Sequence, residues 1–276
     1  MRLGLPYAVA SFIISLTCVF SLSLADPGHM DDSVYAWAYG SIVDSVTVSG
    51  TQDTKDIVVL REMETQPGDV LEKEYLHRDI HFLNGLSPFS DVELSIEQLS
   101  PGHVAIRIVV RERAEILLKA ILPYLKYDFE TGITYGIRWK DKNFRGRLEN
   151  LSFIYTRNER DDDNVSFGWS APWIGWKHIS VGMGVGYYSR GGMPLDPELL
   201  ERTGVSGFVG IPLTESRMKF SQLLLSGSLN KSRTGGVNDE ITKELSVTPR
   251  VGYRYDTRNS HLIPTKGGTL GFTVSS

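Results

Sequence analysis

Two hydrophobic periods divide the chain near Glu115. Ahead of it, Ile42, Asp44, Val46 and Val48 alternate with Val43, Ser45 and Thr47 until Ser49-Gly50, a pattern that predicts a strand closed by a turn. Thr54 is placed to cap a helix carrying Ile57, Val58, Leu60 and Met63, with Pro67-Gly68-Asp69 as its stop. Leu71, Tyr75, Leu76, Ile80 and Leu83 recur every three or four residues and predict a second helix, ended by a left-handed cap at Asn84-Gly85. Val92, Leu94 and Ile96 then alternate, Ser100-Pro101-Gly102 turns the chain, and Val104, Ile106, Ile108 and Val110 alternate again as the second arm of a hairpin. The predicted order is strand, helix, helix, strand, strand. The apolar side of the hairpin needs a cover, and the two helices supply it.

Beyond Glu115 the texture becomes a series of amphipathic strands of roughly ten residues. Ile133, Tyr135, Ile137 and Trp139 alternate with Thr134, Gly136 and Arg138, and Val165, Phe167 and Trp169 with Ser166, Gly168 and Ser170. Val181, Met183, Val185 and Tyr187 alternate with Ser180, Gly182, Gly184 and Gly186. Leu245, Val247, Val251, Tyr253 and Tyr255 alternate with Ser246, Thr248, Arg250, Gly252 and Arg254. A soluble sandwich shows the same period. Arginines opposite faces that end in Trp or Tyr favour a transmembrane barrel, with an apolar outside and a polar lumen. Connections add to this: gaps at 141–146, 173–177 and 214–217 are short, those at 159–164, 189–202 and 230–243 longer, as expected of periplasmic turns and outer loops; the link around Asp128 is short against that rule.

The chain has 276 residues, 41% hydrophobic and 22% charged, with a formal net charge of −4, which argues against a disordered polar chain and against a nucleic-acid binder. Tyr7 through Leu24 form an apolar stretch after Arg2 and end at Ser23-Leu24-Ala25, which predicts a secretory signal peptide over 1–25. A lipoprotein anchor at Cys18 and a retained membrane helix are the competing readings of this stretch. Cleavage would remove Cys18, the only cysteine. No later run approaches the roughly 20 apolar residues of a spanning helix, so later insertion would be as a barrel.

The pattern Val46-x-Val48-x-Gly50, Thr54, Ile57, Arg61-Glu62, Gly68-Asp69, Leu83-x-x-Leu86-x-x-Phe89-x-x-Val92 and Gly102-x-Val104-x-Ile106-x-Ile108-x-Val110-x-Glu112 resembles a POTRA domain. It departs at Thr51, where that family has Asn, and at Ser87-Pro88, inside its Leu-Gly-x-Phe turn. Tyr255-Asp256-Thr257-Arg258-Asn259, then Pro264-Thr265-Lys266-Gly267-Gly268 and Thr269-Leu270-Gly271-Phe272, resembles the middle of the barrel in the Omp85 (BamA, D15 surface antigen) superfamily, and Asn143-Phe144-Arg145-Gly146 resembles a turn of the same family. That family's barrel has about sixteen strands. The residues after Glu115 hold eight or nine, and the last stops within Gly271 to Ser276, so a chain truncated within the barrel is expected.

His77 and His81 stand four apart on the second predicted helix and, with Glu74 or Asp79, have metal-ligand spacing, but Arg78 replaces the glutamate of a zinc protease and a solvated helix face is the better reading. His77-Arg78-Asp79-Ile80 mimics a kinase catalytic loop without its companion motifs, and no G-x-S-x-G elbow is present. Asp161-Asp162-Asp163-Asn164 could hold a divalent cation, although such runs at loop tips are usually just solvated.

The expectation is therefore a signal peptide (1–25), an N-terminal linker (26–41), an α+β POTRA-like domain of βααββ order (42–114) and the front of an all-β antiparallel transmembrane barrel (115–276). What the resemblance implies is an outer-membrane protein assembly factor or translocation pore, not an enzyme and without cofactor or metal. Its POTRA would lie in the periplasm. Its partners would be unfolded outer-membrane or secreted proteins, outer-membrane lipids and accessory periplasmic lipoproteins, with no nucleic acid. Client chains would add to the edge strand Val92, Glu93, Leu94, Ser95 and Ile96, and a barrel gate strand would run through Leu118, Ala120, Leu122 and Tyr124. Asp256, Arg258, Asn259, Pro264, Thr265 and Gly267 carry the family barrel motif. A two-partner-secretion-type transporter and a non-inserting periplasmic interaction protein are the alternatives.

Overall fold

The computed structural model describes residues 13–20, 32–114, 119–129, 131–190, 199–214, 220–235, 240–257 and 268–275. The elements begin with β1 (Ile13–Phe20), α1 (Asp32–Tyr35), β2 (Ile42–Ser49), α2 (Asp56–Glu62), α3 (Lys73–Asn84), β3 (Phe89–Ser100) and β4 (His103–Glu112). They continue with β5 (Lys119–Asp128), β6 (Gly132–Phe144), β7 (Glu149–Asn158), β8 (Asp163–Ala171), β9 (Ser180–Arg190), β10 (Leu199–Pro212), β11 (Phe220–Gly235), β12 (Thr242–Asp256) and β13 (Gly268–Ser275).

Strands β2, β4 and β3 form a three-stranded sheet in that order, β2 parallel and β3 antiparallel to the central β4. The βααββ order is the one the periodicity predicts. One face carries Val92, Val104, Ile106, Ile108 and Val110, and it closes against Val59, Met63, Leu76, Ile80 and Leu83 of the helices and their ends, all buried. Strict alternation in β2 is broken by a register shift between Val43 and Ser45. That bulge lets Val43, fully buried, share the core face with Val46 and Val48 despite their unequal parity. Gly50 follows at φ +87°, where a Cβ would collide with the Val110 carbonyl, so only glycine closes this strand.

Three local expectations are corrected. Helix α2 starts at Asp56 with Lys55 in the cap position and receives no side-chain cap; the Thr54 hydroxyl is held elsewhere. It ends at Glu62, before Pro67, because Met63 is already extended at φ −87° and ψ 137°. At the end of α3, Gly85 is right-handed, at φ −79° and ψ −4°, since its N–H still bonds back to the last helical turn.

Nine strands, β5 to β13, form one antiparallel sheet in sequence order. Across it runs an apolar row, Trp139, Phe153, Phe167, Val185, Val205, Leu229 and Val247, each residue opposite the next. Phe167, Val185, Val205 and Leu229 are about half exposed, and Val247 is 67% exposed. The neighbouring row on the other face reads Lys140, Ser152, Gly168, Gly184, Ser206, Ser228 and Thr248. Ser152, Gly168, Gly184 and Ser206 line a hollow in that face. A wide apolar outside over a concave face of small polar residues is the division a transmembrane barrel wall needs.

The expected alternation of short turns and long loops does not hold. The strands leave 145–148, 172–179, 213–219 and 257–267 between alternate pairs, and 129–131, 159–162, 191–198 and 236–241 between the others. Residues assigned to long outer loops are taken up by strands: β11 and β12 stay paired out to Thr234 and Thr242. Ile13–Phe20, inside the stretch read as a signal peptide, lies here as β1 antiparallel to β13, Cys18 opposite Leu270. An apolar segment rich in Ile and Val has high strand propensity, and β13 offers it an edge.

Candidate functional site: two open strand edges and a docked rim

Among the described residues, strand β3 borders β4 on one side only. Leu94 accepts a hydrogen bond from the Tyr35 hydroxyl at 2.6 Å, so its carbonyl points away from β4. By the two-residue alternation of an antiparallel ladder, the N–H and C=O groups of Val92 and Ile96 point the same way. Val92 is buried, and Leu94 and Ile96 pack on the core, while Glu93 and Ser95 are exposed. The opposite edge, β2, is less open: Val43 N–H bonds to Asp69 O, Gly68 N–H to Val43 O and Leu71 N–H to Ser41 O, at 2.7–2.9 Å. The structure thus leaves the sequence-predicted strand as the longer free edge of the small sheet.

Strand β5 is the second edge, paired with β6 alone among the described residues. Ala120, Leu122 and Tyr124 face Lys140, Arg138 and Gly136 on the polar side of the sheet, and the Arg138 guanidinium lies 5.2 Å from the Tyr124 ring centre. Ile121, Pro123, Leu125 and Tyr127 occupy the apolar side. This strand is therefore greasy on both faces, and its proline sits where a lost ladder donor is tolerated. Leu118 lies outside the described residues.

Between these edges the chain passes from the small sheet to the large one through 113–118, and the two sheets also touch through side chains. The β6–β7 turn is built by buried Asn143: its Oδ1 accepts the Leu148 N–H at 3.0 Å, and its Nδ2 donates to Thr54 Oγ1 at 2.9 Å. Lys55 N–H donates to Gly146 O at 2.8 Å. Arg145 and Leu148 are left-handed, at φ 59° and 61°, beside Gly146 at 69°. Turns held in such conformations are over-determined by their surroundings, here by the loop before α2. A second contact uses the β8–β9 turn: Trp173 Nε1 donates to Glu62 at 2.6 Å and Arg61 lies 5.3 Å from the Trp173 ring, while Arg61 also donates to Arg147 O of the β6–β7 turn at 2.7 Å. His178 stacks between Trp173 and Phe220 and carries this contact into β11.

Glu112 closes the same region. Its carboxylate accepts the N–H groups of Gln52, Asp53 and Thr54 at 3.2, 3.0 and 2.8 Å. Burial opposes its ionisation, but these donors outweigh burial and hold its pKa below the ordinary value. Nothing in the sequence pointed to this role beyond the position of Glu112 in the resemblance motif. Arg61, Glu62 and Trp173 were likewise not legible as a contact.

Other candidates have structural employment. The Asp79 carboxylate accepts the Glu64 and Thr65 N–H groups, which ties α3 to the end of α2 and removes it from any set with His77 and His81. Arg157 bonds to Asp161 and Asp163, and Asn158 to Asp162, so the acid run braces its own connection. Among the described residues no group of three His, Cys, Asp or Glu side chains is arranged to hold a metal. Asp256 is 2% exposed and accepts from Arg254 at 3.0 Å; Arg258, Asn259, Pro264, Thr265 and Gly267 lie outside the described residues.

Residues 41–113 match the POTRA family, described as a surface antigen variable number repeat. A Treponema pallidum (strain Nichols) protein, named as an outer membrane protein assembly factor, is 27% identical over 149 residues, 51% of this chain and 17% of the relative. The crystal structure of Haemophilus ducreyi BamA lacking POTRA domains 1–3 superposes with a TM-score of 0.61 at 18% identity, over 96% of this chain and 54% of that one. The chain thus joins a POTRA-matching segment to the fold of a BamA-type barrel. Escherichia coli CdiB shares the fold at a TM-score of 0.57 and 11% identity, over 95% of this chain and 49% of its own length. The chain spans about half the length of these solved structures, and β5 to β13 share the fold of part of such a barrel. Strand β3 lies in the POTRA-matching segment, and β5 is the first strand of the large sheet after it.

Proposed function

We propose that this chain is an Omp85-type protein that acts in outer-membrane protein assembly or translocation, its POTRA in the periplasm, receiving unfolded chains by strand addition. The observation that carries the reading is the pair of open edges, β3 and β5, on either side of the short 113–118 link. Main-chain groups on an edge bind extended chains with little sequence preference, which suits a receptor for many clients. The exposed apolar row from Phe167 to Val247 supports insertion in a membrane and disfavours a purely periplasmic binder. No cofactor enters this scheme, and the folding of the client supplies the driving force. Outer-membrane lipids would cover the apolar face, and accessory periplasmic lipoproteins would act as further partners.

The test is site-specific photo-crosslinking in cells from Glu93 on β3 and Ala120 on β5. Crosslinks from both positions to outer-membrane proteins in transit, with the chain itself in the outer-membrane fraction, are the expected result. A chain in the soluble fraction, or one whose β3 and β5 positions capture no such protein, refutes it.

A further inference from the structure

The charge along the free edge of β3 is one-sided. Asp91, Glu93, Ser95 and Glu97 share the solvent face, and across β4 the first three stand opposite Arg111, Val109 and Arg107. The arginines therefore lie on the inner side of β3, in the middle of the sheet, and a strand added to the outer side displaces the Tyr35 hydroxyl from Leu94 O and meets the row Asp91, Glu93, Ser95 and Glu97. Among the described residues, Glu93 and Glu97 form no ion pair. Both are exposed, on the same face, with one small residue, Ser95, between them. On the other face Val92, Leu94 and Ile96 continue the core to the very edge.

We propose that the β3 edge selects extended chains that alternate apolar residues with basic ones, Lys or Arg standing four positions apart. This rests on the strand-addition reading above. An added strand places every second side chain beside Val92, Leu94 and Ile96, so those positions must be apolar. The intervening side chains come opposite Glu93, Ser95 and Glu97, so positive charge belongs at the first and third and any small polar residue at the second. Opposite charges directly across two strands attract, and like charges repel. Two such pairs amount to about fivefold in affinity for the basic strand over a neutral one, and a similar loss for an acidic strand.

Three amidated nine-residue peptides of one alternating apolar pattern, carrying Lys, Ser or Glu at the two positions, would be titrated by fluorescence anisotropy into the full chain folded in detergent. A cysteine on each peptide and Ser95→Cys in a Cys18→Ser background report by disulfide trapping whether binding is at β3. The expected order is Lys, then Ser, then Glu, collapsing to equality in Glu93→Gln/Glu97→Gln. Equal affinities with trapping at Ser95→Cys overturn the charge preference and leave the edge as a strand receptor. Absence of binding and trapping for all three overturns both. A Lys preference that survives the double substitution places the selecting charge elsewhere and overturns the assignment to β3.

Discussion

Replacing Gly146 with Ala tests whether the POTRA and the barrel rim are built to fit each other. Gly146 is left-handed at φ +69°, and a methyl group there would overlap the Asp53 carbonyl oxygen. That oxygen is backbone, so relief requires the whole 52–55 loop to withdraw. Withdrawal removes the Lys55 N–H bond to Gly146 O and the Asn143 bond to Thr54. An L-residue in the left-handed region costs about 1 kcal/mol, and each lost hydrogen bond about 1 more. The sum, about 3 kcal/mol, shifts the ratio of docked to undocked forms by roughly a hundredfold.

Amide hydrogen exchange on the folded full chain separates the possible outcomes at single residues. Lys55 N–H is held across the interface by Gly146 O, whereas the N–H groups of Gln52, Asp53 and Thr54 are held within the POTRA by Glu112. Leu148 N–H is held within the turn by Asn143. In Gly146→Ala, Lys55 exchanges faster while the other four keep their protection. Unchanged exchange at Lys55 refutes the docking argument. Faster exchange at Gln52, Asp53 and Thr54 as well would show that the loop itself has come apart, and the interface would then not be the element perturbed.

Glu112 has its pKa depressed by three backbone donors, so its contribution is complete above the unfolded carboxylate value and disappears as pH falls through the lower folded value; protection of the Gln52, Asp53 and Thr54 amides should fall in that acid window, and Glu112→Gln should show the loss already at neutral pH. On the sheet, Val247→Arg on the apolar face should destabilise the bilayer-inserted barrel by about 2–4 kcal/mol if Val247 lies near the midplane, whereas Ser228→Arg on the polar face should be tolerated; unfolding by urea from liposomes measures both. Tyr35→Phe removes the hydroxyl bonded to Leu94 O, and should raise strand-peptide binding at β3 a few-fold, about the worth of one net hydrogen bond; unchanged binding in the anisotropy titration would show that Tyr35 does not compete for the edge.

What was legible in the sequence was whatever obeys one period over several residues. Val92, Leu94 and Ile96 against Val104 to Val110 announced the hairpin, and Phe167, Val185 and Val247 announced a wall with one apolar face, because each residue repeats the same information. Positions governed by a partner distant in sequence escaped. Thr54 is a cap by every local rule, yet its hydroxyl is taken by Asn143, 89 residues away. Asn143-Phe144-Arg145-Gly146 is legible as a turn through the resemblance, but not that the turn is shaped to receive Lys55. The connection between β11 and β12 was misjudged for a related reason: polar residues near Lys231 and Lys243 look like loop, yet the two strands satisfy their backbone by continuing to pair. Local reasoning thus failed at Thr54, where the POTRA meets the barrel, and a local rule that yields to a distant partner is itself a mark of an interface. By that criterion the 51–55 loop and the 143–148 turn are one unit assembled from two domains, and the residue that broke the rule is one of those that hold the small domain on the rim of the large sheet.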